Sequence, residues 1–110
     1  MVQLVKAEAR GDVNAVLALT PACRREPACA TATAQHVRAL RRPGRVEILQ
    51  YVPSAQIALT RRIGTGRIAW RAGTRLPVVQ CVRVRREGPL TGGGVELLSV
   101  SPPIGGEASC

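Results

Sequence analysis

The sequence predicts an α+β domain in which N-terminal helices pack on a curved antiparallel sheet of about four to five strands. Residues 2–42 space their apolar side chains in the helical manner, whereas residues 45–101 alternate and are interrupted by Gly and Pro turns. A length of 110 residues suits a single domain. We therefore expect one unit over 1–110, with helices at about 2–42, the sheet at about 45–101 and a tail at 102–110.

Two short helices are predicted at the start of the chain. Val2, Val5 and Ala9 form one apolar stripe, and Gly11 interrupts it. Asp12 is placed to cap a second helix because its carboxylate can accept hydrogen bonds from amides of the first turn. This role accounts for Asp12 without assigning it any chemistry.

A third helix is predicted from about Pro27 to Arg42. It is rich in alanine, and Pro43-Gly44 follows directly after the basic pair Arg41-Arg42, as is typical of a helix C-terminus. The preceding segment, Cys23 to Cys29, is interpreted as a loop closed by its own bridge.

The second half of the chain reads as consecutive strands. Gly64-Thr65-Gly66 is interpreted as a hairpin turn, as is the glycine-rich segment 88–94. Neither precedes a predicted helix, which argues against phosphate-binding loops. Strands are predicted at about 46–52, 57–63, 67–71, 77–86 and 95–101.

The four cysteines, Cys23, Cys29, Cys81 and Cys110, predict two structural disulfides. Zinc sites usually show closely spaced cysteine pairs such as Cys-x2-Cys, and none occurs here. We favour Cys23–Cys29, because the two are near in sequence, and Cys81–Cys110, which would hold a tail that otherwise frays. Free buried thiols and a metal site are the alternatives, and four cysteines allow three pairings.

Disulfides favour an oxidising compartment, so the expected location is secreted or cell envelope. No leader peptide or membrane-spanning run is visible in the sequence. Export therefore requires that a leader or anchor segment preceded Met1. The alternative is a cytoplasmic protein with reduced cysteines.

The net charge of +9 comes almost entirely from arginine, since Lys6 is the one lysine. Such a charge attracts polyanions, although it also fits a genome rich in arginine codons. Because stacking aromatics are scarce, we expect at most weak, non-specific nucleic-acid binding. The candidate anion-binding residues are Arg61, Arg62, Arg67, Arg71, Arg83 and Arg85.

The run Ala9-Arg10-Gly11-Asp12-Val13, followed by an amphipathic helix, resembles the opening of nuclear-transport-factor-2-like (SnoaL-like, cystatin-like cone) domains. The order of elements agrees over nearly the whole chain. The resemblance implies a curved sheet, often with a cavity, and dimers formed through the sheet face. Enzymes of that group use an acidic residue as base, with Tyr or His partners.

Few residues here suit that chemistry. His36 is expected at the surface or in a capping role, and no Ser-His-Asp set or metal cluster can be assembled. The candidate pocket residues are Tyr51, Trp70, Glu47 and Glu96, although Trp70 has core packing as its alternative role and the glutamates have exposure to solvent. No cofactor is expected, and an enzyme is the less favoured interpretation.

The sequence therefore favours a small exported, non-enzymatic domain that binds a small apolar ligand or another protein. A polyanion-binding protein and a small cone-type enzyme are the alternatives. A homodimer through the sheet face is also expected, because the last strands carry apolar side chains on both faces, as in Leu97 and Leu98. The alternative is that the tail covers this face within one chain.

Overall fold

A computed structural model describes residues 1–52, 63–86 and 95–110. It has N-terminal helices and a curved antiparallel sheet, which confirms the predicted α+β class. The helices are α1 (Val2–Arg10), α2 (Val13–Leu19), α3 (Pro21–Arg25) and α4 (Pro27–Ala39), and the strands are β1 (Val46–Val52), β2 (Ile63–Ala72), β3 (Val78–Arg86) and β4 (Val95–Val100).

The junction of α1 and α2 forms as the sequence predicts. Gly11 ends α1 in the left-handed conformation, at φ 69°, which glycine adopts without a steric cost. Asp12 then accepts a hydrogen bond from the Ala15 amide at 3.0 Å and so begins α2. The two short helices can therefore turn sharply and pack against each other.

The predicted loop between Cys23 and Cys29 was wrong in part, because α3 occupies Pro21–Arg25. Prolines stand at the first positions of both α3 and α4, where the missing amide hydrogen costs no hydrogen bond. α4 ends at Ala39 rather than at Arg42. The Cys23–Cys29 disulfide joins the two helices.

The described strands form one antiparallel sheet in the order β1-β2-β3-β4. Gly64-Thr65-Gly66 is not the predicted hairpin, since these residues lie within β2 and pair with Val84 to Val82 of β3. Pairing with β3 keeps this stretch extended, and Gly66 lies against the ring of Tyr51. The predicted turn at Pro53-Ser54, most of the predicted strand at about 57–63 and the predicted turn at 88–94 lie outside the described residues.

The inner face of the sheet is the face that the helices cover. It carries the alternate residues of β3, Val78, Gln80, Val82 and Val84, all of which are buried. The outer face carries the residues between them. The core beneath the helices is mainly aliphatic around one aromatic ring, and its members include Leu4, Val5, Val16, Val37, Leu40, Ile68 and Trp70.

A β-bulge explains why β4 reads as apolar on both faces. Leu97 lies opposite Val84, and Val100 lies opposite Val82. Opposed residues of an antiparallel pair share a face, so Leu97 and Val100 both point to the inner face although three positions separate them. The extra residue between them is accommodated by a shift in register, which a strict alternation would not allow.

The tail (residues 102–110) first pairs with β3 at Ile104 and then lies against the outer face. The amide of Ile104 donates to the Val79 carbonyl at 2.8 Å, and Cys110 is bonded to Cys81. Between these points, the guanidinium of Arg67 donates to the carbonyls of Gly106 and Ala108. Both predicted disulfides are therefore present, and the tail covers part of the outer face.

Candidate functional site

An open groove lies between the start of α1 and one end of the sheet. Its volume is about 620 Å³. We call it the Tyr51 groove, and its lining residues are Met1, Gln3, Leu4, Leu19, Tyr51, Val84, Glu96 and Leu97. Two of the four predicted pocket residues, Tyr51 and Glu96, thus meet at one place.

The position of Tyr51 follows from two local features. A change of register between Ile48 and Gln50 places Tyr51 opposite Ile68, on the inner face of the sheet. Gly66 then leaves room for the ring, since a Cβ atom there would lie 3.2 Å from the Tyr51 Cε2 and 3.3 Å from its hydroxyl oxygen. The absence of a side chain at Gly66 therefore allows the aromatic ring to approach β2.

Glu96 lies at the rim of the groove, with its side chain 21% exposed. The carboxylate is 3.7 Å from the guanidinium of Arg85, its neighbour across the β3–β4 pair. A contact at this distance and exposure contributes little to stability. Because Arg85 lies on the outer face, the carboxylate of Glu96 is directed to that face, and Glu96 borders the groove at the edge of the sheet.

The other two predicted pocket residues lie elsewhere. Trp70 is fully buried on the inner face, in the core role that the sequence left as its alternative. Glu47 lies on the outer face and accepts a hydrogen bond from Arg71 at 3.1 Å. Neither lines the Tyr51 groove.

The predicted anion-binding arginines do not form one free surface. Arg61 and Arg62 lie outside the described residues, while the other four share the outer face. Arg67 holds the tail, Arg71 contacts Glu47, and Arg85 lies beside Glu96. These contacts occupy three of the four guanidinium groups, and Arg83 is exposed.

A buried hydrogen-bonded chain, which we call the Gln80 network, joins the sheet to the helices. Trp70 Nε1 donates to Gln80 Oε1 at 2.8 Å, and Gln80 Nε2 donates to Glu8 Oε1 at 2.7 Å. The same Gln80 amide group also donates to the Ser101 carbonyl at 2.9 Å. His36 Nε2 lies 3.8 Å from Glu8 Oε1 with its side chain 9% exposed, so the expected surface position of His36 was wrong.

Glu8 was not predicted from the sequence, although a signal was present. Glu8 follows Leu4 by four positions and Val5 by three, which places it on the buried face of α1. Gln80 is likewise in phase with Val78 and Val82 in β3. A carboxylate and an amide on two apolar faces that must meet indicate a buried hydrogen bond, because neither group is tolerated there alone.

The Gln80 network fixes the fold and does not open into the Tyr51 groove. Glu8 is fully buried and is absent from the groove lining. Within residues 1–52, 63–86 and 95–110, no three His, Cys, Asp or Glu side chains are grouped so that they could hold a metal ion. Across the same ranges, every helix is too short or too polar to cross a bilayer.

Comparison with known proteins gives no match: no family profile, no curated protein and no solved structure is significantly similar to the chain. Function is therefore inferred from the site itself.

Proposed function

We propose that this protein is a small exported, non-enzymatic domain that binds a small, mainly apolar ligand in the Tyr51 groove. The observation that carries the proposal is the lining of that groove. It combines apolar side chains, among them Leu4, Leu19 and Leu97, with a smaller number of polar residues, Gln3, Tyr51 and Glu96. Pockets for small molecules typically have this composition, with a few polar groups fixing the orientation of an apolar ligand.

Size and exposure support the same proposal. A volume of about 620 Å³ falls within the range of small-molecule sites. Leu19 and Tyr51 are 38% and 37% exposed, so each leaves apolar surface in contact with water that a ligand would cover. The helices followed by a curved antiparallel sheet are also what kinship with nuclear-transport-factor-2-like domains would require, and that kinship is part of the proposal.

The non-enzymatic part of the proposal rests on the acidic groups. Among the described residues that line the groove, Glu96 is the single acidic one, and Arg85 lies beside its carboxylate. Glu8 is enclosed by the Gln80 network and is not accessible to a substrate in the groove. A cone-type mechanism would therefore find no second acidic group among the described residues of the groove.

The export part of the proposal rests on the two disulfides. Cys23–Cys29 and Cys81–Cys110 are compatible with an extracellular protein, since reducing compartments keep most thiols free.

A homodimer through the outer face also stays a prediction. The outer face carries fewer apolar side chains than the sequence suggested, because the bulge in β4 turns Leu97 and Val100 to the inner face. The tail covers a further part of the outer face near Cys81. A dimer would form through the part of the outer face that the tail does not cover.

The ligand proposal is tested by fluorescence titration with N-phenyl-1-naphthylamine, a neutral apolar probe that does not engage the arginines. We expect one bound probe per chain. Leu19→Glu should weaken binding by about tenfold or more, because it replaces apolar lining by a charge.

Leu76→Glu is the matched control. Leu76 is 86% exposed and lies outside the groove, so the same substitution there should leave probe affinity within about twofold. Equal weakening by both substitutions, or unchanged binding to Leu19→Glu, would contradict the proposal.

A further inference from the structure

A second concave surface lies beside α1, and its side chains are mostly basic. Its volume is about 840 Å³. We call it the basic cleft, and its lining residues are Val2, Lys6, Ala9, Arg10, Arg41, Arg42, Pro43, Gly44, Arg45 and Val46. None of these cations belongs to the set that the sequence singled out for anion binding.

The backbone that carries the arginines is held on both sides. The Arg42 amide donates to the Ala9 carbonyl at 2.9 Å, which ties residues 41–45 to the end of α1. On the other side, the Gly73 amide donates to the Arg45 carbonyl at 2.9 Å, which ties them to the end of β2. The arginine backbone is thus fixed before any ligand arrives, which lowers the entropy cost of binding.

Two glycines make this arrangement possible. Gly44 has φ 113°, and a Cβ atom there would lie 2.8 Å from the Gly73 Cα, so only glycine allows the two backbones to approach. On the opposite side, the aliphatic part of Arg41 packs against Gly11, where a Cβ atom would lie 3.4 Å from the Arg41 Cβ. The stem of Arg41 is therefore held while its guanidinium lines the cleft.

The charges of the cleft are only partly balanced by the protein. Of its five basic side chains, Arg10 contacts Asp12 at 3.8 Å, and this is the one ion pair of the set among the described residues. The C-terminal ends of α1 and α4 each carry about half a negative charge, and together they balance one further cation. About three positive charges of the cleft remain, more than two helix ends need for their stability.

The side chain of Arg42 has a buried polar atom that no protein group satisfies among the described residues. Its Nε is buried and has no hydrogen-bond partner among the described residues. An oxyanion in the cleft would supply an acceptor close to this side chain. Arginine is also the residue whose planar group binds phosphate oxygens in pairs.

We propose that the basic cleft binds a compact anion that carries several phosphate groups. Its concave form suits a small molecule rather than a flat lipid surface, and 840 Å³ lies within the size range of small-molecule sites. Its lining includes no aromatic side chain on which a base could stack, so the occupant is recognised by its phosphates.

Isothermal titration calorimetry tests the proposal at about 150 mM salt, where weak surface attraction is screened. Sodium tripolyphosphate is the probe, with inorganic phosphate, a short DNA duplex and vesicles containing phosphatidylserine as comparisons. We expect tripolyphosphate to bind with a one-to-one ratio and about tenfold or more tightly than inorganic phosphate. The double variant Arg41→Gln/Arg45→Gln should weaken this binding by about tenfold or more.

Arg25→Gln/Arg83→Gln is the matched control, because it removes the same charge from exposed arginines outside the cleft. Its affinity for tripolyphosphate should stay within about twofold of the parent. Lys6→Gln, an exposed change on α1, serves as a second cleft variant if the double variant does not fold, and it should weaken binding by about threefold or more. Equal loss in cleft and control variants would overturn the proposal, as would tighter binding of the duplex or vesicles that persists without Arg41 and Arg45.

Discussion

The two faces of the sheet hold their polar groups in opposite ways. On the inner face, Gln80 lies in a row of valines and meets Trp70 and Glu8 through buried hydrogen bonds. On the outer face, Cys81 and Arg67 hold the tail through a disulfide and through hydrogen bonds that remain exposed to solvent. Neighbouring residues of β3 thus anchor the helices on one side and the tail on the other.

The difference shows that position, not the number of contacts, determines what a polar group contributes. If the outer contacts break, water replaces them and the tail gains freedom. If the inner contacts break, the remaining partners stay buried without acceptors or donors, which costs far more than the lost bond itself. The inner face is therefore expected to respond strongly to a single substitution, and the outer face to respond mainly to loss of the covalent bond.

The largest effect is expected for Gln80→Ala. It leaves Trp70 Nε1 without its acceptor and Glu8 without its donor, and it also creates a cavity. The free energy of unfolding should fall by about 4 kcal/mol, as measured by urea denaturation.

Gln50→Ala is the matched control, because Gln50 is an exposed glutamine in β1. Its effect should stay within about 0.5 kcal/mol. Similar values for the two variants would show that the Gln80 network contributes nothing specific.

The second-largest effect on stability is expected from removing the Cys81–Cys110 disulfide. The double variant Cys81→Ser/Cys110→Ser opens a closed loop with a sequence separation of 29, and this should lower the free energy of unfolding by about 3.5 kcal/mol. The Cys23→Ser/Cys29→Ser variant opens a shorter loop, with a sequence separation of 6, and should lower the free energy of unfolding by about 2.4 kcal/mol. Denaturation of both under identical conditions checks the order, and a greater loss from the shorter loop would contradict the account of the tail.

The same pair of variants sharpens the dimer prediction. Without Cys81–Cys110 the tail can leave the outer face, so any association through that face should strengthen. Sedimentation equilibrium should then show a lower dimer dissociation constant for Cys81→Ser/Cys110→Ser than for Cys23→Ser/Cys29→Ser. If the two stay monomeric alike, the outer face is not a dimer surface.

The smallest effect is expected for Arg67→Gln. The hydrogen bonds from Arg67 to Gly106 and Ala108 are exposed, so their loss should lower the free energy of unfolding by about 1 kcal/mol. Faster hydrogen exchange should be confined to the tail. Arg83→Gln, an exposed arginine on the same face, should change neither quantity.

The sequence was sufficient for the features that depend on neighbouring residues. Gly11-Asp12 predicts the break between α1 and α2, because one residue adopts a positive φ and the next caps a helix. Cys23 and Cys29 are similarly close enough to predict their bond, and Cys81–Cys110 followed as the remaining pair. The α+β class followed from the change of periodicity near Pro43.

Features that depend on strand pairing were not predictable in the same way. The bulge between Leu97 and Val100 appears only when β4 is aligned with β3, and without it the strand reads as apolar on both faces. Gly64-Thr65-Gly66 has the composition of a turn, yet pairing with β3 keeps it extended. Tertiary pairing overrode local preference at both places.

The basic cleft was missed for a related reason. Lys6 and Arg10 lie on α1, whereas Arg41, Arg42 and Arg45 follow α4 more than thirty positions later. No spacing in the sequence shows that these groups share a surface. Their meeting depends on the contact between the Arg42 amide and Ala9, which exists only in the folded chain.

The bond between Cys81 and Cys110 also determines how this domain bears mechanical load. Tension applied at Cys110 enters the sheet at Cys81, within the central strand β3, while residues 102–109 carry none of it. Without the bond, the same tension would act on the end of β4 and separate it from the sheet one hydrogen bond at a time. With the bond, the tension acts instead across the pairing of β3 with β2, because β4 lies within the closed loop, so many hydrogen bonds must yield together and the oxidised domain should resist pulling from its C-terminal side.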